Sequence, residues 1–392
     1  MSDQAKFLEG NLLRHITVMA MASSVGLMAV FAVDFVDMVF ISMLGKAELA
    51  AAVGYAGAIL FFTGSFGIGM AIASAALVAR ALGEGNAEMA RRRATSSLLS
   101  GVGFGVIFAG VVWLNIRPLV SLLGATGETR DLAVQFMQIV LPSLPILLVG
   151  IVGGAILRAY GDARRSMNVL IWGGLVNAIL DPILIFGLDL ELVGAALASI
   201  AARITIAVLA ITAIRRHHNG LGRITGSELL ADMRPVFAIA LPAILTQLAT
   251  PVGQAYVTRA MAEYGEEAVA GMAIVGRLTP VAFAVIFALS GAVGPIIGQN
   301  AGAGNDARVR RTFKDGLVFT LGVTVLVSVI LFGLREPLAW LFDLEMGGID
   351  RKLVFLFAGP LSLLWFFNGV IFVANAAFNN LAHPFYSTVI NW

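Results

Sequence analysis

Two aspartates three residues apart, Asp34 and Asp37, and an amide–carboxylate pair four apart, Asn177 and Asp181, stand inside long apolar stretches of this 392-residue chain. Spacings of three and four place each pair on one face of a helix, and Pro182, directly after Asp181, loosens the backbone there. A charge at bilayer depth costs roughly 2.5–3.5 kcal/mol on insertion scales, so each of these side chains needs a reason to be there. If the two stretches face each other, three carboxyls and an amide converge in a low-dielectric cavity. Acids crowded in such a place resist full ionisation and can exchange protons near neutral pH. The same oxygens also suit a sodium ion. A plainer reading leaves Asp34 lining a wet cleft and Asp181 stapling a helix.

Gln247, Thr250, Gln254 and Tyr256 share one later apolar stretch and are better suited to lining a cargo path than to holding a cation. Asn368 and Asn375 could serve the same cavity, or could bond between helices for about 0.6–2 kcal/mol each. Arg259 and Arg277 fall near segment ends and can snorkel. Arg203 is mid-segment and requires a carboxylate, a carbonyl or an aqueous cavity. Some of the 14 Met and 25 Phe, Met38 among them, can form the adaptable apolar walls of a promiscuous cavity. Enzyme chemistry finds little purchase. There is no cysteine, no G-x-x-x-x-G-K-[ST] phosphate loop, and the four histidines (His15, His217, His218, His383) fall at segment ends or in loops.

Composition says what must position these groups. Hydrophobic residues make up 59% of the chain, charged residues 13%, and the mean hydropathy is +0.90, outside the range of soluble domains. Helices are expected at roughly 13–44, 50–80, 95–116, 132–157, 167–188, 192–214, 235–262, 268–298, 315–334 and 353–380. Strands of a membrane barrel would alternate in ten-residue pieces, and these runs do not. Lys6, Arg14, Arg80, Arg91, Arg92, Arg93, Arg158, Arg164, Arg165, Arg215, Arg216, Arg223, Arg234, Arg308, Arg310, Arg311 and Lys314 fall on the N-terminal side of the membrane. Only Lys46, Arg117, Arg130, Arg335, Arg351 and Lys352 fall on the other. That bias places the N-terminus in the cytoplasm of a bacterial-type inner membrane, without a cleavable signal peptide. It also reads the basic runs as topology signals and anionic-lipid contacts rather than nucleic-acid patches.

The chain repeats itself. Gly85 and Asn86 recur as Gly304 and Asn305, Arg91 and Arg92 as Arg310 and Arg311, and Glu48 as Glu267, each 219 positions later; Pro142 and Pro360 keep the offset within one residue. Six spans precede a polar linker, so both halves start on the same side and the repeat is parallel. The expectation is an all-α polytopic membrane protein of two six-helix bundles related by a pseudo-two-fold axis, with a cleft between helices one and two and helices seven and eight. An N-lobe would cover 1–215, a cytoplasmic linker 216–234, and a C-lobe 235–392. Phe385–Trp392 would extend only about 12 Å as a helix, so the second bundle is expected to be incomplete, with ten full helices and the start of an eleventh.

The chain resembles the multidrug and toxic compound extrusion (MATE) family, most closely its DNA-damage-inducible-protein-F-like branch. The resemblance rests on VDMVFISMLG (36–45), ILRAYGDARRSM (156–167), NAILDPILIFGL (177–188), GRLTP (276–280) and IGQNAGAGN (297–305), in that order. It implies an antiporter without cofactor, monomeric, that exports small organic cations, drugs or other amphiphiles in exchange for protons or sodium. Carried over residue by residue, Asp37 matches the first-helix acid, Asn177 and Asp181 the fifth-helix pair, and Ser199 a sixth-helix hydroxyl beside the same proton or sodium site. Two positions depart from the pattern. Phe136 stands at a cavity position where a relative has tyrosine, and Ala22-Ser23 where many relatives carry a first-helix proline. Thr250 occupies the seventh-helix position of the acid in the sodium-dependent branch, and no Asp or Glu follows Leu353, so coupling is expected in the first half. Three alternatives remain: a lipid-linked precursor flippase with a cationic cavity, an exporter of an endogenous metabolite, and a membrane enzyme or scaffold.

Overall fold

A computed structural model describes residues 5–344 and 346–392, and the side chains of all of these except 255, 258, 262 and 266. Every regular element among the described residues is helical. Among the described residues, nine helices are long and apolar enough to cross a membrane, or ten if one bent pair counts as a single span. The first six spans are Leu12–Met43, Ala47–Gly83, Ala87–Leu114, Gly127–Ala159, Ala163–Gly187 and Glu191–His218. The seventh helix runs Gly226–Ala262. The eighth is broken at Phe283 into Glu266–Ala282 and Ala284–Gly302, and the ninth is Asp306–Leu341. The tenth is the pair Ile349–Leu361 and Trp365–Asn380, bent by 60°, and a short helix, Pro384–Asn391, follows it.

The 219-residue repeat has a local physical cause. Gly85 and Gly304 sit at φ +72° and +69°, a left-handed conformation that closes the second and eighth helices and that glycine adopts without strain. The asparagine after each one caps the next helix: Asn86 accepts from the Met89 N–H and Asn305 from the Arg308 N–H. Proline explains the bends. Pro142 sits in a 3-10 turn, Leu141–Ser143, inside the fourth span, and Pro360 in the wide turn Phe357–Leu361 of the tenth, where Gly359 leaves helical geometry.

The helices extend beyond the expected spans at the basic-loop end. The third starts at Ala87 rather than near 95, because a polar, amphipathic turn continues the helix past the apolar run. The expected linker shrinks for the same reason. The sixth helix continues through Arg215–His218, and a Thr225–Glu228 capping box starts the seventh at Gly226.

At the basic-loop end the two halves are in intimate contact. A Cβ added at Gly83 would lie 1.9 Å from the Gln299 carbonyl oxygen, and one at Gly302 2.1 Å from that of Arg80. Lower on the second span, Gly69 faces Ile244 and the Ala240 carbonyl with as little space. Small residues here let the helix backbones touch. At the opposite end Phe35, Met38, Met43, Val252 and Tyr256 are 62%, 55%, 66%, 49% and 75% exposed, so the far ends of the first and seventh helices stand open.

Candidate functional site

The fifth span builds one wall of the site. Asn177 and Asp181 lie one turn apart on its inner face, 3% and 0% exposed. Pro182 has no N–H to donate, and the helix widens from there into a π turn over Ile183–Gly187. Gly194 of the sixth span packs directly on that turn; a Cβ there would meet the Leu184 carbonyl carbon at 2.7 Å. The first span supplies the other wall. It lies close along the fifth: Gly26 faces Leu170 and Met167, and Gly174 faces Val33.

Asn177 joins the two walls. Its Nδ2 donates to Asp37 Oδ1 at 2.8 Å and to Asp181 Oδ2 at 2.7 Å, so one amide bridges two carboxyls 144 positions apart in sequence. Asp37 is half-buried. The second oxygen of Asp181 is buried and meets no hydrogen-bond donor. A buried, incompletely matched carboxylate is costly, and a proton on the pair offsets that cost. The arrangement therefore brings together two acids and a donor that can hold them in more than one charge state.

The remaining expected residues fall elsewhere. Asp34 is exposed, one turn before Asp37, and among the described residues it makes no hydrogen bond or ion pair. Ser199 is half-buried on the sixth span and donates to none of the three bridged groups. Phe136 is 7% exposed within the core of the first bundle, beside Met137 and Val140. An aromatic ring without a hydroxyl packs readily in such a core. Met38, Thr250, Gln254 and Tyr256 are exposed and Gln247 is half-buried, all towards the open end or middle of their helices.

Asn375 bonds between helices. It is 6% exposed and accepts from the Asn391 Nδ2 at 3.1 Å, so it ties the tenth helix to Pro384–Asn391 rather than facing a cavity. That short helix docks on the seventh through Thr388 to the Pro242 carbonyl (2.9 Å) and the Trp392 indole to the Leu245 carbonyl (3.0 Å). Of the other two asparagines near it, Asn379 accepts weakly from Ser387, and Asn380 bonds its own helix while its Oδ1 stays unmatched.

Three charged constellations lie away from this site, and the sequence singled out only the first, Arg203, as needing a carboxylate, a carbonyl or an aqueous cavity. Arg203 is held by the Val140 carbonyl (3.1 Å) and the Ser143 hydroxyl (2.8 Å), at the point where the Pro142 turn frees polar groups. Asp232, 1% exposed, accepts from Arg92 and Ser96 and pairs with the Arg93 guanidinium, and thus pins the third span to the seventh. The segment before the first span is clamped between the halves: Gln299 Nε2 donates to the Ala159 carbonyl and its Oε1 accepts from the Phe7 N–H. Asn300 and Arg308 both donate to the Phe7 carbonyl. Arg92 and Arg308 read in sequence as topology signals, and nothing local marks their partners.

The model of the MatE family matches the chain over residues 22–183 and again over 242–391, once in each half. The chain is similar to the FAD transporter of Shewanella oneidensis, 28% identical over all of this chain and 87% of that protein. It is also similar to the multidrug export protein MepA of Staphylococcus aureus, 26% identical over 79% of this chain and 67% of that protein. Among solved structures, the Vibrio cholerae MATE transporter VcmN is 24% identical and superposes with a TM-score of 0.90, covering 97% of this chain and 86% of that one. A MOP superfamily transporter from Pyrococcus furiosus is 21% identical with a TM-score of 0.89, covering 99% and 86%.

Proposed function

Since the chain belongs to the MatE family of membrane transporters, we propose that it is a secondary antiporter that exports organic cations or other amphiphiles in exchange for protons. The reading rests on the bridge from Asn177 to Asp37 and Asp181. With Asp37 and Asp181 ionised, the amide donates to both and ties the first span to the fifth. A proton on either acid weakens its acceptance of that hydrogen bond and lets the spans part. The tie is thus a contact whose strength depends on protonation, and only such a differential contact can shift a conformational equilibrium.

The halves meet at the basic end and stand open at the other, which is the arrangement expected of one end state of alternating access. On the positive-inside orientation this is the state open to the outside. Acidic groups near the open cleft favour cationic cargo. The relative named as an FAD transporter, matched over the whole chain, keeps a metabolite cargo as the second reading.

The experiment is transport in proteoliposomes under an imposed pH gradient or sodium gradient, with a panel of organic cations and with FAD. Asp37→Asn and Asp181→Asn should each abolish pH-driven transport while the proteins still express and fold, and Asp34→Asn should retain it. Retained transport by both Asp37→Asn and Asp181→Asn removes the coupling assignment. Transport driven by sodium alone replaces the ion.

A further inference from the structure

We propose that a basic cavity at the N-terminal segment binds the headgroup of an anionic phospholipid. The cavity, about 410 Å³, lies between the residues that precede the first span and the turn joining the fourth and fifth spans. Lys6, Arg14, His15 and Arg164 line it together with apolar Phe7, Val18 and Met19. Lys6 donates to the Gly161 carbonyl at 3.0 Å, and His15 Nε2 lies 2.9 Å from the Glu9 carbonyl oxygen, so both are fixed in place. Arg14 and Arg164 are exposed, and among the described residues their guanidinium groups make no ion pair or hydrogen bond.

The cavity's one acid does not neutralise them. Asp162 is already matched by Arg165 and by His218 at 2.9 Å. Three permanent positive charges therefore face a space whose one carboxylate among the described residues is already paired. The occupant must also cover apolar surface, because Val18 is 48% exposed directly beside the charged groups. A free phosphate would satisfy the guanidinium groups and leave Val18 wet. A phospholipid satisfies both, since its phosphate meets Arg14 and Arg164 and its glycerol and upper acyl chain lie along the first span. The site has a consequence for the gate, because the segment that forms it also hydrogen-bonds Gln299, Asn300 and Arg308 of the other half. A lipid seated there would stabilise closure at the basic end. Nothing in the site depends on Asp37 or Asp181, so it can stand if the coupling assignment falls.

The test is thermal unfolding of the purified full chain in mixed micelles with phosphatidylglycerol or phosphatidylcholine, and in detergent with inorganic phosphate alone. Phosphatidylglycerol should raise the Tm above the phosphatidylcholine value by about 4 °C, the order expected when a site on a chain of this size is filled. Arg14→Gln/Arg164→Gln should lose that increment. Arg223→Gln/Arg310→Gln, which removes the same charge from exposed arginines outside the cavity, should keep it. The proposal is overturned if both double variants lose the increment equally, if the two lipids act alike, or if inorganic phosphate alone reproduces the effect. Should the first double variant not fold, Arg164→Gln alone carries the comparison, with a several-fold rise in the phosphatidylglycerol concentration needed for half the shift.

Discussion

One methyl group at Gly83 should change which end of the protein is open. The Cβ of an alanine there would lie 1.9 Å from the Gln299 carbonyl oxygen and 2.8 Å from the Gln299 Cα, both backbone atoms that no rotamer change can remove. The eighth helix would have to retreat by about 1.5 Å to restore ordinary contact. Gly302, whose own Cβ position is 2.1 Å from the Arg80 carbonyl oxygen, leaves it no room to slide along the second. Overpacking of this kind costs about 1–3 kcal/mol. A state in which the halves are apart at this end escapes the clash, so the whole cost falls on the closed state and converts to a roughly 5–150-fold shift in population. The gain in helix propensity from glycine to alanine, about 1 kcal/mol, is common to both states and cancels. Gly64→Ala is the control, on the same helix with nothing within 4 Å of the added atom. The chain has no cysteine, so a single Ala79→Cys, at a position 0% exposed in the contact with Gly298, reports opening to a hydrophilic maleimide. Labelling should be about 5–150 times faster with Gly83→Ala and unchanged with Gly64→Ala. An unchanged rate in Gly83→Ala, or equal acceleration by both, would refute the reasoning.

Asn177→Ala removes both amide donations to the acid pair, so it should destabilise the protein by about 1–3 kcal/mol in thermal unfolding; wild-type stability would show that the bridge is incidental. Arg308→Gln strips the guanidinium from the Phe7, Glu9 and Gly10 carbonyls and should speed Ala79→Cys labelling several-fold, whereas an unchanged rate would remove the clamp from the gate. Asp162 lies between spans. Burial opposes its charge, but the hydrogen bonds from His218 and Arg165 outweigh it and hold the carboxyl below the usual carboxylate range. A folded-state pKa below the unfolded value of about 3.9 contributes stability above that pH, and the contribution is lost as pH falls towards the folded value. Asp162→Asn should therefore melt lower than wild type at pH 7, with the gap narrowing below about pH 4, and a gap independent of pH would count against the ion pairs.

The repeat and the spans were legible because they depend on local chemistry: glycine where a helix must turn left-handed, asparagine where the next one starts, and apolar runs of membrane length. The Asn177–Asp181 pair was legible for the same reason, as a spacing of four fixes a shared face. That Asp37 would meet it required the first and fifth helices to lie side by side, which the spacing left conditional and only the family resemblance implied; in the structure Gly26 and Gly174 let them pack closely. Phe136, Asn375 and the arginines at the basic end were read from their type, and type does not reveal a partner. Asn375 is matched by Asn391, and Arg308 by carbonyls almost 300 positions earlier.

What the repeat does not duplicate is the first-helix acid, Asp37. At 219 and 220 positions after Asp37 stand Tyr256 and Val257, both exposed and neither a carboxylic acid. The closing surfaces, by contrast, come from both halves, with Gly83 against Gln299 and Gly302 against Arg80. A gate built from two matching surfaces can be poised near balance, because opening one end exposes surface much like that covered at the other. A trigger confined to one half then needs to supply only a small difference. The bridge at Asn177 can do so: hydrogen bonds to charged groups are worth about 1.5–3 kcal/mol each, of the same order as the roughly 1–3 kcal/mol by which allosteric sites typically couple. In the proposed cycle, a change in the protonation of one carboxyl in the first half is therefore enough to bias which end is closed.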